Sequence, residues 1–250
     1  MITSKDNNLI KKIKSLSQKK YRDEYGLYIV EGIKMCEEAK KYAKIETLIV
    51  CPELFSEFDQ SKYNGVKIEE TNQRVFEYIS ETKTPQGIMA LVNIESSKKI
   101  RDTVVFALDD IQDPGNLGTI IRTLDAFGFK DLIISQNTAD PYNTKVVRST
   151  MGGIFRLNIS KVDDLKESLQ EYKKNGYEIV ITSLKADFNL DKHKFDKKQI
   201  IVIGNESNGV SKEIEKMADI RIKIPMPGKA ESLNAAVATS IVAYERIRKQ

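Results

Sequence analysis

A chain of 250 residues, 40% hydrophobic and 30% charged, has room for one large domain or two modest ones and the make-up of an ordinary soluble protein. Its apolar runs fall short of the roughly 18–20 residues of a membrane span, and the opening MITSKDNNLIKKIK lacks a signal-peptide core, so a cytoplasmic location is expected. Cys36, Cys51 and the single His193 offer neither a disulfide framework nor paired metal-ligand spacing, which argues against a metal site. A Ser–His–acid hydrolase would have to use His193, in the stretch DKHKFDKKQ, which reads as solvated loop.

The charge is unevenly placed. Residues 1–22 carry Lys5, Lys11, Lys12, Lys14, Lys19, Lys20 and Arg22 against Asp6 alone, a net +6 that leaves residues 23–250 at −2 of the chain's +4. With Leu9, Ile10, Ile13 and Leu16 at helical spacing, this is a basic amphipathic helix suited to a phosphate backbone. A solvated lysine face explains the same pattern. An anionic membrane surface fits less well, because bulky aromatic anchors are missing from the apolar face.

Strand and helix then alternate. LYIVEG (27–32) predicts a strand leading into a helix through Ala43; TLIV (47–50) and GVKIEE (65–70) predict strands. TNQRVFEYIS (71–80) predicts a helix capped by Thr71 or Asn72, and GIMALVNI (87–94) a closing strand. ESSKKIRDT (95–103) is polar and aperiodic, and marks a boundary between domains 1–96 and 97–250.

From residue 104 the alternation restarts. VVFALDD (104–110) is a strand, Asp113 caps a helix with Pro114 in its first turn, and DLIIS (131–135) follows as a strand. Residues 162–176 predict a helix ended by Gly176; 177–182, 200–204 and 218–225 predict strands; 233–247 predicts a last helix with a small-residue face, Ala235, Ala236, Ala238, Ser240 and Ala243. Strands separated by helices argue for α/β layers around a parallel sheet.

Three polar clusters follow buried strands, where ligands sit in open α/β sheets. In 107–129, Gly115, Gly118, Asn116 and Arg122 surround a helix start suited to a phosphate; equally, Asn116 could bond locally and Arg122 be a surface charge. In 200–211, Gly204, Asn205, Glu206, Asn208 and Gly209 form a tight loop that is not G-x-G-x-x-G. In 222–238, Pro225, Pro227 and Gly228 shape a rigid loop before a helix that Ser232 is placed to cap.

NLGTIIRTLDAFG, IGNESNGVS and IPMPGKAESLNAAVA resemble the three signature blocks of the SpoU (TrmH-type) RNA ribose 2′-O-methyltransferases, in order and spacing, and KVVRSTMGGIFRL (145–157) resembles the segment between the first two. KIKSLSQKKYRDEYGLYIVEG resembles the small ribosomal-protein-like substrate-binding domain of the ribosomal-RNA branch. The resemblance implies the SPOUT α/β fold with a C-terminal trefoil knot, an exception to the rule against knotted chains. It implies S-adenosylmethionine (AdoMet) held by Gly204, Asn205, Ile224, Met226, Pro227 and Leu233, and a homodimer. Arg122 would be the central catalytic residue, with Asn116, Glu206, Ser232 and Asn234 shaping the site. RNA would meet Lys11, Lys12, Lys19, Lys20, Arg22 and Arg148. A tRNA ribose methyltransferase and a non-catalytic RNA-binding protein of ribosome assembly are the alternatives. A dehydrogenase or kinase would need glycine motifs that the chain lacks.

Overall fold

The computed structural model describes residues 1–249 apart from Asp187, Asp196 and Glu206. The chain forms two compact units, residues 1–96 with 140–155, and residues 97–139 with 156–250.

In the first unit the basic N-terminal stretch is two helices rather than one: α1 (Asn8–Ser15), capped by the Asn7 side chain on Leu9 N–H, and α2 (Lys19–Tyr25), ended by Gly26 at φ +62°. The left-handed turn needs glycine and aims the chain into β1 (Leu27–Glu31). Ile10, Ile13 and Leu16 are fully buried, so the apolar stripe read from the sequence serves the core. After α3 (Ile33–Tyr42) come β2 (Ile45–Val50), β3 (Lys67–Glu70), α4 (Gln73–Ile79, capped by Asn72) and β4 (Ile88–Asn93). The sheet runs β1-β4-β2-β3, with β4 antiparallel to both neighbours and β2 parallel to β3. Leu27, Ile29, Phe76, Ile79, Met89 and Leu91 complete this core; each such side chain contributes about 1.5–3 kcal/mol by leaving water.

The second unit opens with the polar stretch before residue 104, which is pinned rather than loose. The buried Asp131 carboxylate accepts from Arg101 N–H (2.8 Å) and Asp102 N–H (3.0 Å). β5 (Val104–Asp109), α5 (Pro114–Ala126) and β6 (Asp131–Ile134) follow, with Asp113 capping α5 through Asn116 N–H at 2.7 Å. The chain next gives α6 (Thr144–Ser149) to the first unit, then returns as β7 (Asn158–Lys161). Asp140 and Arg22 form a buried ion pair within that first unit, and the Arg22 guanidinium also donates to Leu16 O (2.7 Å) and Ser17 O (2.9 Å). Arg22, expected on the RNA face, is therefore an interior packing residue.

α7 (Leu165–Lys174), β8 (Glu178–Thr182), β9 (Phe188–Asn189), β10 (Gln199–Gly204), α8 (Lys212–Met217), β11 (Ile220–Lys223) and α9 (Ala235–Arg248) complete the unit. Seven parallel strands run β7-β6-β5-β10-β8-β11-β9. Helix 162–176 is shorter than its pattern because Asp164, by accepting from Glu167 N–H, fixes its start. α9 starts two residues later than expected, capped by Asn234 and not Ser232. His193 is buried, with Nε2 3.0 Å from Gln199 Oε1, whereas Asp191, Lys192, Lys194, Lys197 and Lys198 around it are exposed as the solvated reading expects.

Candidate functional site

β10, β8 and β11 lie side by side and parallel, so Gly204, Thr182 and Lys223 end at one edge of the sheet. The loops leaving those ends, with the first turns of α9, enclose a cavity of about 450 Å³. That is within the roughly 300–1,000 Å³ of small-molecule sites, and at the strand ends where an α/β sheet binds ligands. Ile181, Ile203, Ile222 and Leu184 give apolar walls, while Ala235 and Ala238 give α9 a small-residue face against the cavity.

The loop after β10 needs the sequence it has. A Cβ on Gly204 would lie 2.1 Å from Gly209 C and 2.2 Å from Val210 N, so only glycine lets the loop fold over its own strand. Asn205 Oδ1 accepts from Ser207 N–H (2.9 Å) and Asn208 N–H (3.3 Å), while its Nδ2 donates to Asp110 O (2.9 Å). The buried Asp109 carboxylate accepts from Ser211 N–H at 2.7 Å. Asp110 itself adopts φ +58°, an unusual conformation for a residue with a Cβ, and Ser135 Oγ holds it by donating to its carboxylate at 2.6 Å. The end of β5 thus anchors the loop after β10.

Gly204, Asn205, Ile224, Met226, Ser232 and Leu233 all line the cavity, whereas Pro227 is exposed and outside the lining. Asn116 and Asn234 meet directly: Asn234 Nδ2 donates to Asn116 Oδ1 at 2.9 Å, joining the starts of α5 and α9. Arg122 is exposed on α5 and is not part of the cavity wall. Its helix packs on α9 through Thr123 and Ser240, whose hydroxyls are 3.3 Å apart. Glu206 lies outside the described residues. The sequence reading missed Thr182, Ser183 and Leu184, which follow a buried strand without the glycine or proline that marked the other loops. Among the described residues no group of His, Cys, Asp and Glu is placed to hold a metal, and no helix is long and apolar enough to cross a membrane.

AdoMet fits this cavity on two observations. Its adenine needs an apolar slot with main-chain partners. The irregular segment 224–233 makes no turn or loop backbone hydrogen bond among the described residues, so its N–H and C=O groups can serve a ligand. Its zwitterionic amino-acid end needs both signs of charge, and the lining carries Lys185, Lys223, Glu215 and Glu231.

Residues 103–244 match the family described as the SpoU rRNA Methylase family, and residues 7–90 match the MRM3-like substrate binding domain. The chain belongs to the SpoU rRNA methylase family. As a member it is an RNA methyltransferase that uses AdoMet. It is 31% identical to the 23S rRNA (guanosine(2553)-2′-O)-methyltransferase RlmP of Bacillus subtilis, with 97% of each chain covered. Its fold is similar to that of the AdoMet-bound rRNA methyltransferase of Sinorhizobium meliloti, at a TM-score of 0.88 and 32% identity over 99% of this chain and 97% of that one. The SpoU methyltransferase AviRb of Streptomyces viridochromogenes in complex with AdoMet gives a TM-score of 0.86 at 26% identity, over 97% of this chain and 98% of that one.

Proposed function

We propose that this SpoU protein methylates a ribose 2′-hydroxyl of 23S ribosomal RNA in the cytoplasm, with the first unit holding RNA and the second holding AdoMet. The observation that carries this reading is the cavity between the strand-end loops, sized and lined for AdoMet, beside the Asn116–Asn234 contact that draws the start of α5 to it. Bound AdoMet supplies an activated methyl group, so the protein has only to align the acceptor and help its proton leave.

Arg122 is the central catalytic residue in this reading. A guanidinium keeps its proton in proteins and is a poor free base, so Arg122 grips the RNA phosphate, which orients the ribose and assists removal of the 2′-hydroxyl proton. Asn116 and Asn234 fix the start of α5, Ser232 offers its hydroxyl to ribose or cofactor, and Glu206 acts from the loop after β10. The 224–234 segment closes the AdoMet site as part of a trefoil knot. The functional form is a homodimer: Val237 and Tyr244, both exposed on α9, give an apolar face to a second copy, and α5 with Arg122 packs against the same helix. Lys11, Lys12, Lys19 and Lys20 supply phosphate affinity on the first unit, with Arg148 partly exposed on α6.

The test is in-vitro labelling of total RNA with methyl-labelled AdoMet, followed by nuclease mapping. Label on a 2′-oxygen of 23S RNA is the expected result; label on a base, or on tRNA alone, overturns the proposal. In Arg122→Ala, turnover should vanish while AdoMet affinity stays within about twofold, since that side chain is outside the cavity wall.

A further inference from the structure

Basic residues were legible at the N-terminus, but not what they stand beside. Tyr25 at the end of α2 and Tyr78 in α4 are 42% and 38% exposed. Lys5 and Lys14 Nζ lie 4.4 and 5.1 Å from the Tyr78 ring centroid, and Lys12 Nζ lies 5.3 Å from that of Tyr25. Tyr21 stacks on Tyr25 with an interplanar angle of 17°, and Lys20 Nζ sits 5.5 Å from its centroid. Of these lysines Lys12 also pairs with Glu46 (3.0 Å), and Lys14 donates to Tyr78 O (2.9 Å). Lys11 and Lys19 are held by Asp6 and Asp23.

α1 organises the arrangement. With Ile10, Ile13 and Leu16 fully buried and 100° between successive residues, Lys11 stands on the exposed ridge while Lys12 and Lys14 leave on opposite flanks. Each flank ends at an exposed tyrosine. The two rings thus flank one helix, beside six lysines and a single aspartate within the first 22 residues, Arg22 being buried against Asp140.

We propose that Tyr25 and Tyr78 are stacking platforms for unpaired bases of the RNA substrate, with Lys5, Lys12, Lys14 and Lys20 meeting the adjoining phosphates. This rests on the RNA reading above and names the part of the RNA that the first unit reads. A half-exposed ring whose face carries a flexible lysine can take a base when that ammonium swings onto the adjoining phosphate, which matches a single strand, whose bases have exposed π-faces, better than a duplex, whose bases are stacked inward. Protein partners fit less well, because lysines rather than aliphatic side chains surround these rings. A membrane would find nothing to take up, since the apolar residues of α1 are in the core.

The probe is a labelled single-stranded oligoadenylate of about 12 nucleotides, beside an RNA duplex of equal length. The chain has 10 Tyr and no Trp, so its own emission reports tyrosine stacking. Oligoadenylate should quench that emission; Tyr25→Leu and Tyr78→Leu should each weaken its binding about tenfold, with the slope of affinity against salt unchanged. Tyr25→Phe and Tyr78→Phe should bind within twofold of the wild type, and Lys5→Ala should flatten the salt slope. Leucine variants that bind like the wild type, phenylalanine variants that fail as badly as leucine, or equal losses on duplex would overturn the platform. Binding to anionic phospholipid vesicles that the leucine substitutions abolish, with oligoadenylate binding untouched, would overturn it in favour of a membrane. Methyl transfer to 23S RNA measured on the same proteins separates the two ideas: transfer with tyrosine-independent binding sinks only the platform, while stacking without any wild-type transfer sinks only the proposed function.

Discussion

A single methyl group at position 204 should separate folding from cofactor binding. Alanine there places its Cβ against the backbone of Gly209 and Val210, which no rotamer change relieves. The loop has to lift, carrying Asn205 and Asn208 out of the cavity wall. Gly204→Ala should therefore weaken AdoMet at least about tenfold by calorimetry while β10 stays in its sheet, since strand φ/ψ suits alanine. Near-normal affinity would mean that the loop is not part of the cofactor site. The Arg22–Asp140 pair makes a different demand. Arg22 has a side chain only 4% exposed, and Asp140 is its only carboxylate partner among the described residues. Asp140→Ala leaves that cation buried beside two carbonyls, so urea denaturation should show a loss of about 3 kcal/mol. A loss below 1 kcal/mol would show the guanidinium escaping to water.

Among the elements, α9 depends on one side chain that does two jobs. Asn234 Oδ1 accepts from Ala236 and Val237 N–H, and Nδ2 donates to Asn116. Asn234→Asp keeps the cap and drops the tie to α5; Asn234→Ala drops both. The alanine variant should lose about 1 kcal/mol in thermal unfolding and the aspartate variant distinctly less, while both lose methyl transfer. Equal stability losses would place the value of Asn234 in the tie and not in the cap. This element also shows where sequence pattern stops. Glycines and prolines announced the loops after β10 and β11, because backbone that turns sharply needs those residues. Ser232 and Asn234 are both good caps by residue type, and the tie of Asn234 to Asn116, 118 positions away, is what no local pattern encodes. The same blindness hid Thr182–Leu184, which join the cavity only because β8 pairs between β10 and β11. Arg22 was misread for a related reason: its charge was visible, but Asp140, far along the chain, was not. Periodicity did carry most helices and every strand except β7 and β9, since burial on one face leaves its spacing in the chain.

At the scale of the molecule, the two units should respond differently to alkali. Tyr28 and Tyr142 pack ring to ring at 4.9 Å in the first unit. Burial, with the neighbouring Asp140 charge second, pushes the Tyr142 phenol from 10.0 up to about 12; burial, with Tyr142 second, raises Tyr28 further still. A raised phenol favours the neutral form in the fold, so its stabilisation is complete below pH 10 and is lost as pH climbs through 10 towards 12 and beyond. Tyr63, in the same unit, is raised mainly by burial as well. In the second unit, Tyr172 and Tyr177 are raised too, again chiefly by burial, but less far. Every residue lining the cavity belongs to that second unit. Raising the pH from 10 to 12 should therefore melt the first unit ahead of the second. Amide exchange would report this as early loss of protection in residues 1–96, while AdoMet still protects the strands around its cavity. Tyr28→Phe with Tyr142→Phe removes the titrating groups without removing the rings, and should move the first transition to higher pH. An alkaline transition that stays in place in the double variant, or loss of protection in both units together, would show that burial of these two phenols does not govern the melt.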